Sequence, residues 1–351
     1  MIDRRVVLRA DASEAIGTGH VVRCQTLAAA LVARGWQATV ATRTLPEALA
    51  DGLAEAGISV LRLGPDTSLE DEPAEITDRL GLTLALVVGD HYGLGRSWFE
   101  QVRQDQPRAV LMAIDDLADR PLPVDMVLNQ NLGANAADYA VLVPAGARVL
   151  AGPPYALLRP EFADLRSRRR SRAGHIERIL IFMSGADAAD VTARAVVAIG
   201  RLGCPADVVV GAAYPNLAGL GEMVARQPAT ELHVNTGQMA TLMDRADLAI
   251  GAASSASWER CTLGLPAVLV TLADNQVTAE RLLVEAGAAQ AIGWHTAIDA
   301  ADIERVVRAL IGDPGRVAAM SEAAARVTDG LGTERVVAAI EAEIDAKLAG
   351  S

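Results

Sequence analysis

Residues 6–20 read VVLRADASEAIGTGH. Three aliphatic residues, Val6, Val7 and Leu8, give way to Arg9-Ala10-Asp11, then to small residues with Gly17 and Gly19, and then to His20. From His20 to Arg34 the apolar positions Val21, Cys24, Leu27, Ala28 and Leu31 recur at helical spacing, and Gly35 stops the run. An aliphatic strand, a glycine-bearing turn and an amphipathic helix make one βα unit. Repetition of that unit decides the fold.

Outward from it, aliphatic runs alternate with helical periodicity along most of the chain, the pattern of an α/β protein with parallel sheets. Further strands are predicted at 38–41, 58–61, 84–88, 109–113 and 126–128. The segment 159–175 breaks the series with Pro160, a run of arginines and Gly174, and reads as a boundary. A second series then predicts strands at 179–182, 207–210, 231–234, 248–250, 268–270 and 290–292. The last fifty residues read as helix, with Asp299, Asp313 and Thr333 near helix starts. At 351 residues the chain exceeds the ceiling for one core. Aromatics are 3% of residues, so the cores are aliphatic, as expected of buried parallel strands. The expected organisation is 1–158 as an N-terminal α/β domain, 159–175 as a linker, 176–330 as a C-terminal α/β domain and 331–351 as a terminal helix. Two doubly wound Rossmann-like domains of this kind are expected to face a central cleft, with ligands bound outside the strand carboxyl ends.

A net charge of −12 repels polyanions, which argues against a nucleic-acid partner. The dense basic run, Arg166, Arg168, Arg169, Arg170 and Arg172, reads as a solvated interdomain linker, with a phosphate or partner site as the competing reading. Cys24, Cys204 and Cys261 are far apart and form no CxxC pair, so reduced thiols are expected rather than disulfides or zinc. No apolar stretch approaches the ~20 residues that span a bilayer, and Met1-Ile2-Asp3-Arg4-Arg5 is too short in apolar length for a secretory signal. The expectation is a cytoplasmic monomer without a membrane partner.

Five loops carry candidate chemistry. In the first, Gly17 and Gly19 let a ligand approach the backbone, and His20 at a helix start could accept a proton near neutral pH; a tight turn with His20 as a cap is the bland alternative. In the second, Gly251-Ala252-Ala253-Ser254-Ser255-Ala256-Ser257 precedes a helix, where exposed amides and hydroxyls suit a diphosphate, and Glu259 suits two vicinal ribose hydroxyls. A serine-capped helix is the alternative there. In the third, Asp274-Asn275-Gln276 suits sugar hydroxyl or acetamido groups, or simply caps a helix. The fourth, Gly89-Asp90-His91-Tyr92-Gly93-Leu94, ends a strand, as do Asp115-Asp116 and Asn129-Gln130-Asn131. The acidic pair lacks a surrounding set of ligands at metal spacing and reads as loop hydrogen bonding, so no metal is expected. The fifth is Ser184-Gly185-Ala186-Asp187, where Gly185 admits a base or phosphate, or just turns the chain. His175, His233 and His295 show no partner pattern.

These motifs in this order resemble the UDP-2,4-diacetamido-2,4,6-trideoxy-β-L-altropyranose hydrolases of the pathway to pseudaminic acid. The likeness rests on Arg9-Ala10-Asp11, Ile16-Gly17-Thr18-Gly19-His20 and Arg23-Cys24, on Asp90-His91-Tyr92-Gly93-Leu94, and on Ile114-Asp115-Asp116-Leu117-Ala118-Asp119. It extends through Gly152-Pro153, Tyr155-Ala156-Leu157-Leu158-Arg159-Pro160-Glu161-Phe162 and the run 251–293 with Trp258-Glu259-Arg260-Cys261 and Asn275-Gln276.

That family is similar to GT-B glycosyltransferases, among them the one that adds GlcNAc to the lipid-linked peptidoglycan precursor, with water as acceptor. The resemblance implies His20 as catalytic base and Tyr92 and Asn275 at the sugar. It further implies Glu259 at the ribose, Ser254, Ser255 and Ser257 at the diphosphate, and Asp11, Gly17, Gly19, Arg159, Gly185 and Gln276 as further substrate contacts. It implies inverting hydrolysis without a cofactor, the 1–158 side activating water and the 176–330 side binding UDP. The sequence departs from the family near Met183-Ser184-Gly185, where a further glycine is expected, near residues 121–125, where a His and a Cys are expected, and at Asn129, where an aspartate is expected. The residues leave open a glycosyltransferase with the same donor, and a catalytically silent nucleotide-sugar-binding protein.

Overall fold

Along the first strand, successive side chains point to opposite faces of a sheet, and both faces are buried: Val6, Leu8 and Ala10 join one apolar cluster and Val7 the other. The same alternation separates Leu86 and Val88 from Val87, and Met112 and Ile114 from Leu111 and Ala113. Strands covered on both faces read as unbroken aliphatic runs, which is why they were visible in the sequence.

The computed structural model describes residues 4–13, 16–81, 83–185 and 187–349. Glu14 and Ala15 of the first motif, Ala186 of the fifth and Met1-Ile2-Asp3 lie outside the described residues. Thirteen strands are β1 (Arg5–Ala10), β2 (Gln37–Thr42), β3 (Ser59–Arg62), β4 (Leu86–Asp90), β5 (Val110–Ile114), β6 (Met126–Asn129), β7 (Arg148–Ala151), β8 (Ile179–Phe182), β9 (Ala206–Val210), β10 (Thr230–Val234), β11 (Leu248–Ala252), β12 (Ala267–Thr271) and β13 (Ala289–Trp294) among the described residues. They form two sheets, of order β3-β2-β1-β4-β5-β6-β7 and β10-β9-β8-β11-β12-β13. Neighbouring strands run parallel throughout the recorded pairings. Both orders reverse direction once, between β1 and β4 and between β8 and β11, the doubly wound pattern expected from the sequence. The strand β7 was not anticipated: it is a sheet edge, Arg148–Ala151, in which Leu150 is buried and its neighbours are partly or largely exposed.

The chain divides into two compact units, 1–158 with 331–351, and 159–330. In the first unit the helix Gly19–Val32 lays Val21, Cys24, Leu27, Ala28 and Leu31 on one face of the sheet. The terminal helix Gly332–Ala349 adds Val336, Val337, Ile340 and Ile344 to that same cluster, so it is part of this unit's core. Its entry is tight. A Cβ on Gly332 would lie 2.3 Å from the carbonyl oxygen of Ala156, closer than any side-chain carbon can approach. The opposite face carries Trp98, Phe99, Val102 and Tyr139. In the second unit the helices Val191–Leu202 and Ala300–Ile311 cover β8, β9 and β11 with Val196, Ile199, Ile303, Val307 and Leu310.

The segment expected to be a solvated linker is built differently. It opens with the helix Pro160–Ser167, within the second unit, and three of its arginines, Arg166, Arg170 and Arg172, are tied to carbonyls near helix ends. Arg172, 5% exposed, donates to the carbonyls of Met243, Asp244, Ala246 and Leu263. Arg170 donates to Asp244, Arg245 and Ala246 carbonyls and to Asp247. Arg166 donates to Thr262 and Ala325 carbonyls. The last carbonyls of a helix lack intrahelical partners and carry partial negative charge, so guanidinium groups collect there. Among the described residues no helix is long and apolar enough to cross a membrane.

Candidate functional site

In an open doubly wound sheet the loops leave in opposite directions at the point where strand order reverses, and this opens a crevice at the strand carboxyl ends. In the first unit that point lies between β1 and β4, whose last residues Ala10 and Asp90 are in register. The motif loop following β1 and the Asp90 motif therefore meet. Gly17, at φ +80, closes the loop by donating its amide to the Ser13 carbonyl at 2.8 Å. The helix begins at Gly19, with no side-chain cap at Thr18. His20 thus occupies the first turn without capping it.

The His20 ring stands among charged groups rather than in apolar core. Its Nδ1 is 2.6 Å from Asp90 Oδ1. Arg23, one turn along the same helix, donates through Nε to Asp90 Oδ2 and through Nη2 to Asp90 Oδ1, both at 2.6 Å. Cys24 Sγ adds a contact at 3.5 Å to Oδ2. Arg23 also reaches Asp116, through Nη1 at 3.0 Å and Nη2 at 2.9 Å. Asp116 further accepts from Asn131 Nδ2 at 2.8 Å and from the Tyr92 hydroxyl at 3.3 Å. The Tyr92 ring meets the His20 ring edge-on, with centroids 4.9 Å apart, and is 40% exposed.

The electrostatics follow from these contacts. Burial by itself would raise the Asp90 carboxyl, but Arg23 and His20 bring it down to about 2. Burial likewise opposes ionisation of Asp116, and Arg23 outweighs it. Burial and the neighbouring Asp90 push the Cys24 thiol up, so it is a neutral donor. An ionised Asp90 accepts from Nδ1–H, which places the lone pair of His20 on Nε2. Among the described residues Nε2 has no recorded hydrogen-bond partner.

A second buried cluster lies beside the first. Arg9 is fully buried, bidentate on Glu72 at 2.8 and 2.7 Å, and 2.9 Å from Asp11 Oδ2. Asp11 Oδ1 accepts from the Thr42 hydroxyl and from the amides of Arg43 and Thr44 at 3.0, 2.7 and 3.2 Å. Asp11 was expected to touch substrate; in the fold its Oδ1 ties the end of β1 to the end of β2, its Oδ2 faces Arg9, and it is 4% exposed. His91 stands 3.9 Å from Asp11, and burial followed by the Arg9 charge lowers its proton affinity.

In the second unit the order reverses between β8 and β11, with Phe182 and Gly251 in register. Gly185 follows β8, and a Cβ there would meet open space; its carbonyl accepts from Gly211 at 2.8 Å. Ser254 and Ser255 follow β11 and precede the helix Ala256–Thr262. Ser255, the residue before the helix, makes no side-chain cap bond, so the plain capping alternative is not what its hydroxyl does. Ser257 departs from the expected triple. It is 1% exposed, and its hydroxyl accepts from Arg260 Nη2 at 2.8 Å. Arg260 also donates to the Ala252 carbonyl at 2.7 Å, and burial lowers its guanidinium to about 10. Ser257 therefore braces the loop from within.

Glu259 and Arg159, expected separately at the substrate, are brought together at 3.5 Å. Burial raises the Glu259 carboxyl and Arg159 partly offsets it. Asn275 is exposed in a single turn, Asp274–Gln276, after β12. Gln276 turns its side-chain oxygen to the Leu272 amide at 3.0 Å. Among the described residues one trio has metal-compatible spacing, Asp207, Glu231 and His233. Arg245 and Arg178 already pair with Asp207, so the trio is a neutralised ionic cluster. His233 has a partner there after all, Asp207 at 3.0 Å.

Sequence reasoning assigned Arg23 no role and read Asp116 as a loop hydrogen-bond acceptor. The spacing of His20 and Arg23 at i and i+3 puts them on one helical face, a usable signal. Asp116 had none, because it approaches Arg23 through the β-sheet and not along the chain.

No family model matches the chain. The UDP-2,4-diacetamido-2,4,6-trideoxy-beta-L-altropyranose hydrolase of Campylobacter jejuni is 25% identical over 289 residues, 81% of this chain and 97% of that protein. The spore coat polysaccharide biosynthesis protein SpsG of Bacillus subtilis is 24% identical over 206 residues, 57% of this chain; the chain spans 60% of that protein's length. The crystal structure of MurG from Acinetobacter baumannii superposes with a TM-score of 0.69 at 17% identity, over 96% of this chain and 99% of that one. The resemblance read from the motifs is borne out, and the fold is the two-domain Rossmann-like GT-B fold.

Proposed function

We propose that the chain is a UDP-sugar hydrolase that cleaves the anomeric C–O bond of a UDP-2,4-diacetamido-2,4,6-trideoxyhexose, inverting the anomeric carbon and releasing UDP and free sugar. The observation that carries this reading is the His20–Asp90 pair at a strand-order reversal, with Nε2 as the ring atom left to act. The coarser part, a UDP-sugar enzyme of GT-B architecture, is supported by both curated relatives and the fold.

In this mechanism Nε2 of His20 takes a proton from water as the water oxygen bonds to the anomeric carbon. The bond from that carbon to the β-phosphate oxygen breaks, and its electron pair leaves with UDP. Asp90 keeps the base in the correct tautomer and stabilises the imidazolium that forms. The leaving diphosphate is assigned to the amides and helix start after Ser254 and Ser255, where developing negative charge meets N–H donors and a positive dipole end. Glu259, oriented by Arg159, is assigned to the ribose hydroxyls, Gly185 to close approach of the nucleotide, and Tyr92 and Asn275 to the sugar.

Purified chain is given a UDP-diacetamido sugar with no acceptor, and UDP release is followed. Release is expected, and His20→Ala is expected to slow it about 10²–10⁴-fold while UDP binding measured by calorimetry persists. Release that requires an added acceptor hydroxyl would convert the reading to glycosyl transfer, and an unaffected His20→Ala variant would remove the base from the mechanism.

A further inference from the structure

We propose that Arg23 and Asp116 are positioning residues that set the proton affinity of His20 through Asp90, as an alternating charge ladder. The catalytic meaning of this ladder rests on the base role given to His20 above; its existence does not.

The four side chains are stacked in order, His20, Asp90, Arg23, Asp116, and are 8%, 0%, 8% and 15% exposed. Little solvent separates them, so each charge acts on the next with reduced screening. A lone carboxylate 2.6 Å from an imidazole favours the imidazolium, and a ring that already holds its proton cannot take one from water. The Arg23 cation acts against that bias. Its guanidinium is bidentate on Asp90, and its Nη2 lies 3.2 Å from His20 Nδ1. Taken alone, Arg23 would overcorrect by placing an uncompensated cation against the ring. Asp116 prevents this by accepting from both Nη atoms, and Asn131 and Tyr92 hold it in place.

Among the described residues, the charged and titratable groups around the ring enter the balance together. From its own helix these are Arg23 and Cys24. From the end of β4 they are Asp90, His91 and Tyr92. Asp116 faces it from the loop after β5, and Arg9, Asp11 and Glu72 stand behind His91. Removing the Arg23 cation and removing the Asp116 anion act on the ring in opposite directions. A purely structural role predicts no such opposition.

The test is a pH titration of the His20 ring by proton–carbon NMR in the full chain, whose five histidines make the spectrum sparse; the His20 signal is assigned by its loss in His20→Gln. Arg23→Gln is expected to move the midpoint up, and Asp116→Asn to move it down, each by on the order of one pH unit. The double variant is expected to return close to the parent. The acidic limb of the kcat/KM–pH profile is expected to follow with the same signs. Shifts of equal sign, or none, would overturn the ladder. Asp116→Asn keeps shape and acceptor, so its downward shift decides the matter if Arg23→Gln does not fold. The NMR readout needs no substrate. Opposed shifts in a chain that releases no UDP would therefore uphold the ladder and reject the hydrolase reading alone.

Discussion

Asp90 is a fully buried carboxylate held by donors from His20, Arg23 and Cys24, and its cost of desolvation is met by the cation beside it. Its carboxyl is lowered to about 2 from the ordinary 3.8. A depressed carboxyl stabilises the folded chain above its unfolded value and loses that contribution as pH falls through the folded one. Asp90→Asn is therefore expected to be about 2 kcal/mol less stable than the parent near neutrality. The gap is expected to close between about pH 4 and pH 2 in urea titrations. A gap unchanged across that window would mean that Asp90 acts by shape and not by charge. Part of this was legible beforehand. A histidine after Gly-Thr-Gly at a helix start, and an aspartate at a strand end, each stood out by local pattern. That His20 and Asp90 touch was not, because 70 residues separate them and only the order of strands joins β1 to β4. Asp11 misled for a related reason. A conspicuous acid in a glycine-rich loop looks available, and its three donors from the end of β2 are invisible until the sheet is assembled.

Strands were legible both where burial is two-sided and at the half-exposed β3 and β10. Each strand anticipated from an aliphatic run is present, with ends displaced by up to a few residues, whereas the edge β7, Arg148–Ala151, was not anticipated. The arginine run was misjudged because composition describes how polar a segment is and not what it touches. Arg172 gathers carbonyls from the end of the helix Met239–Arg245 and from Leu263, and burial lowers its guanidinium to about 10, still cationic at neutral pH. Replacing it with Met keeps the apolar stem and removes five donors. Buried carbonyls left unpaired cost about 1–3 kcal/mol apiece, so Arg172→Met is expected to destabilise the second unit by at least about 2 kcal/mol. Arg172→Lys is expected to recover little, because one ammonium cannot span the same acceptors. The urea midpoint of the second unit's transition measures both, and a Lys variant as stable as the parent would show that charge alone suffices.

At the scale of the whole molecule, the chain builds two compact units and then returns to the first. The terminal helix reads in the sequence as an Ala-rich amphipathic segment, but nothing in its pattern says which core it completes; that depends on Gly332 fitting against the Ala156 backbone and on the apolar stripe Val336, Val337, Ile340 and Ile344 finding Leu27, Leu31 and Met112. Ile340 is fully buried in the first unit's cluster. Ile340→Ala removes methyl groups that the surrounding helices and sheet cannot fully collapse to replace, a loss of about 2–5 kcal/mol. Ile340 and Ile250 belong to separate apolar clusters, so the loss is expected to stay where it is made. Hydrogen exchange followed by mass spectrometry is the appropriate measurement. Protection is expected to fall along β1, β4 and β5, although Ile340 lies more than two hundred residues further along the chain, and to hold along β8, β11 and β12. The same substitution at Ile250, fully buried in the second cluster, is expected to give the mirror result. If Ile340→Ala instead lowered protection equally in both sheets, the two units would be unfolding as one cooperative body, and the terminal helix would be a fastener for the entire chain and not for its first half.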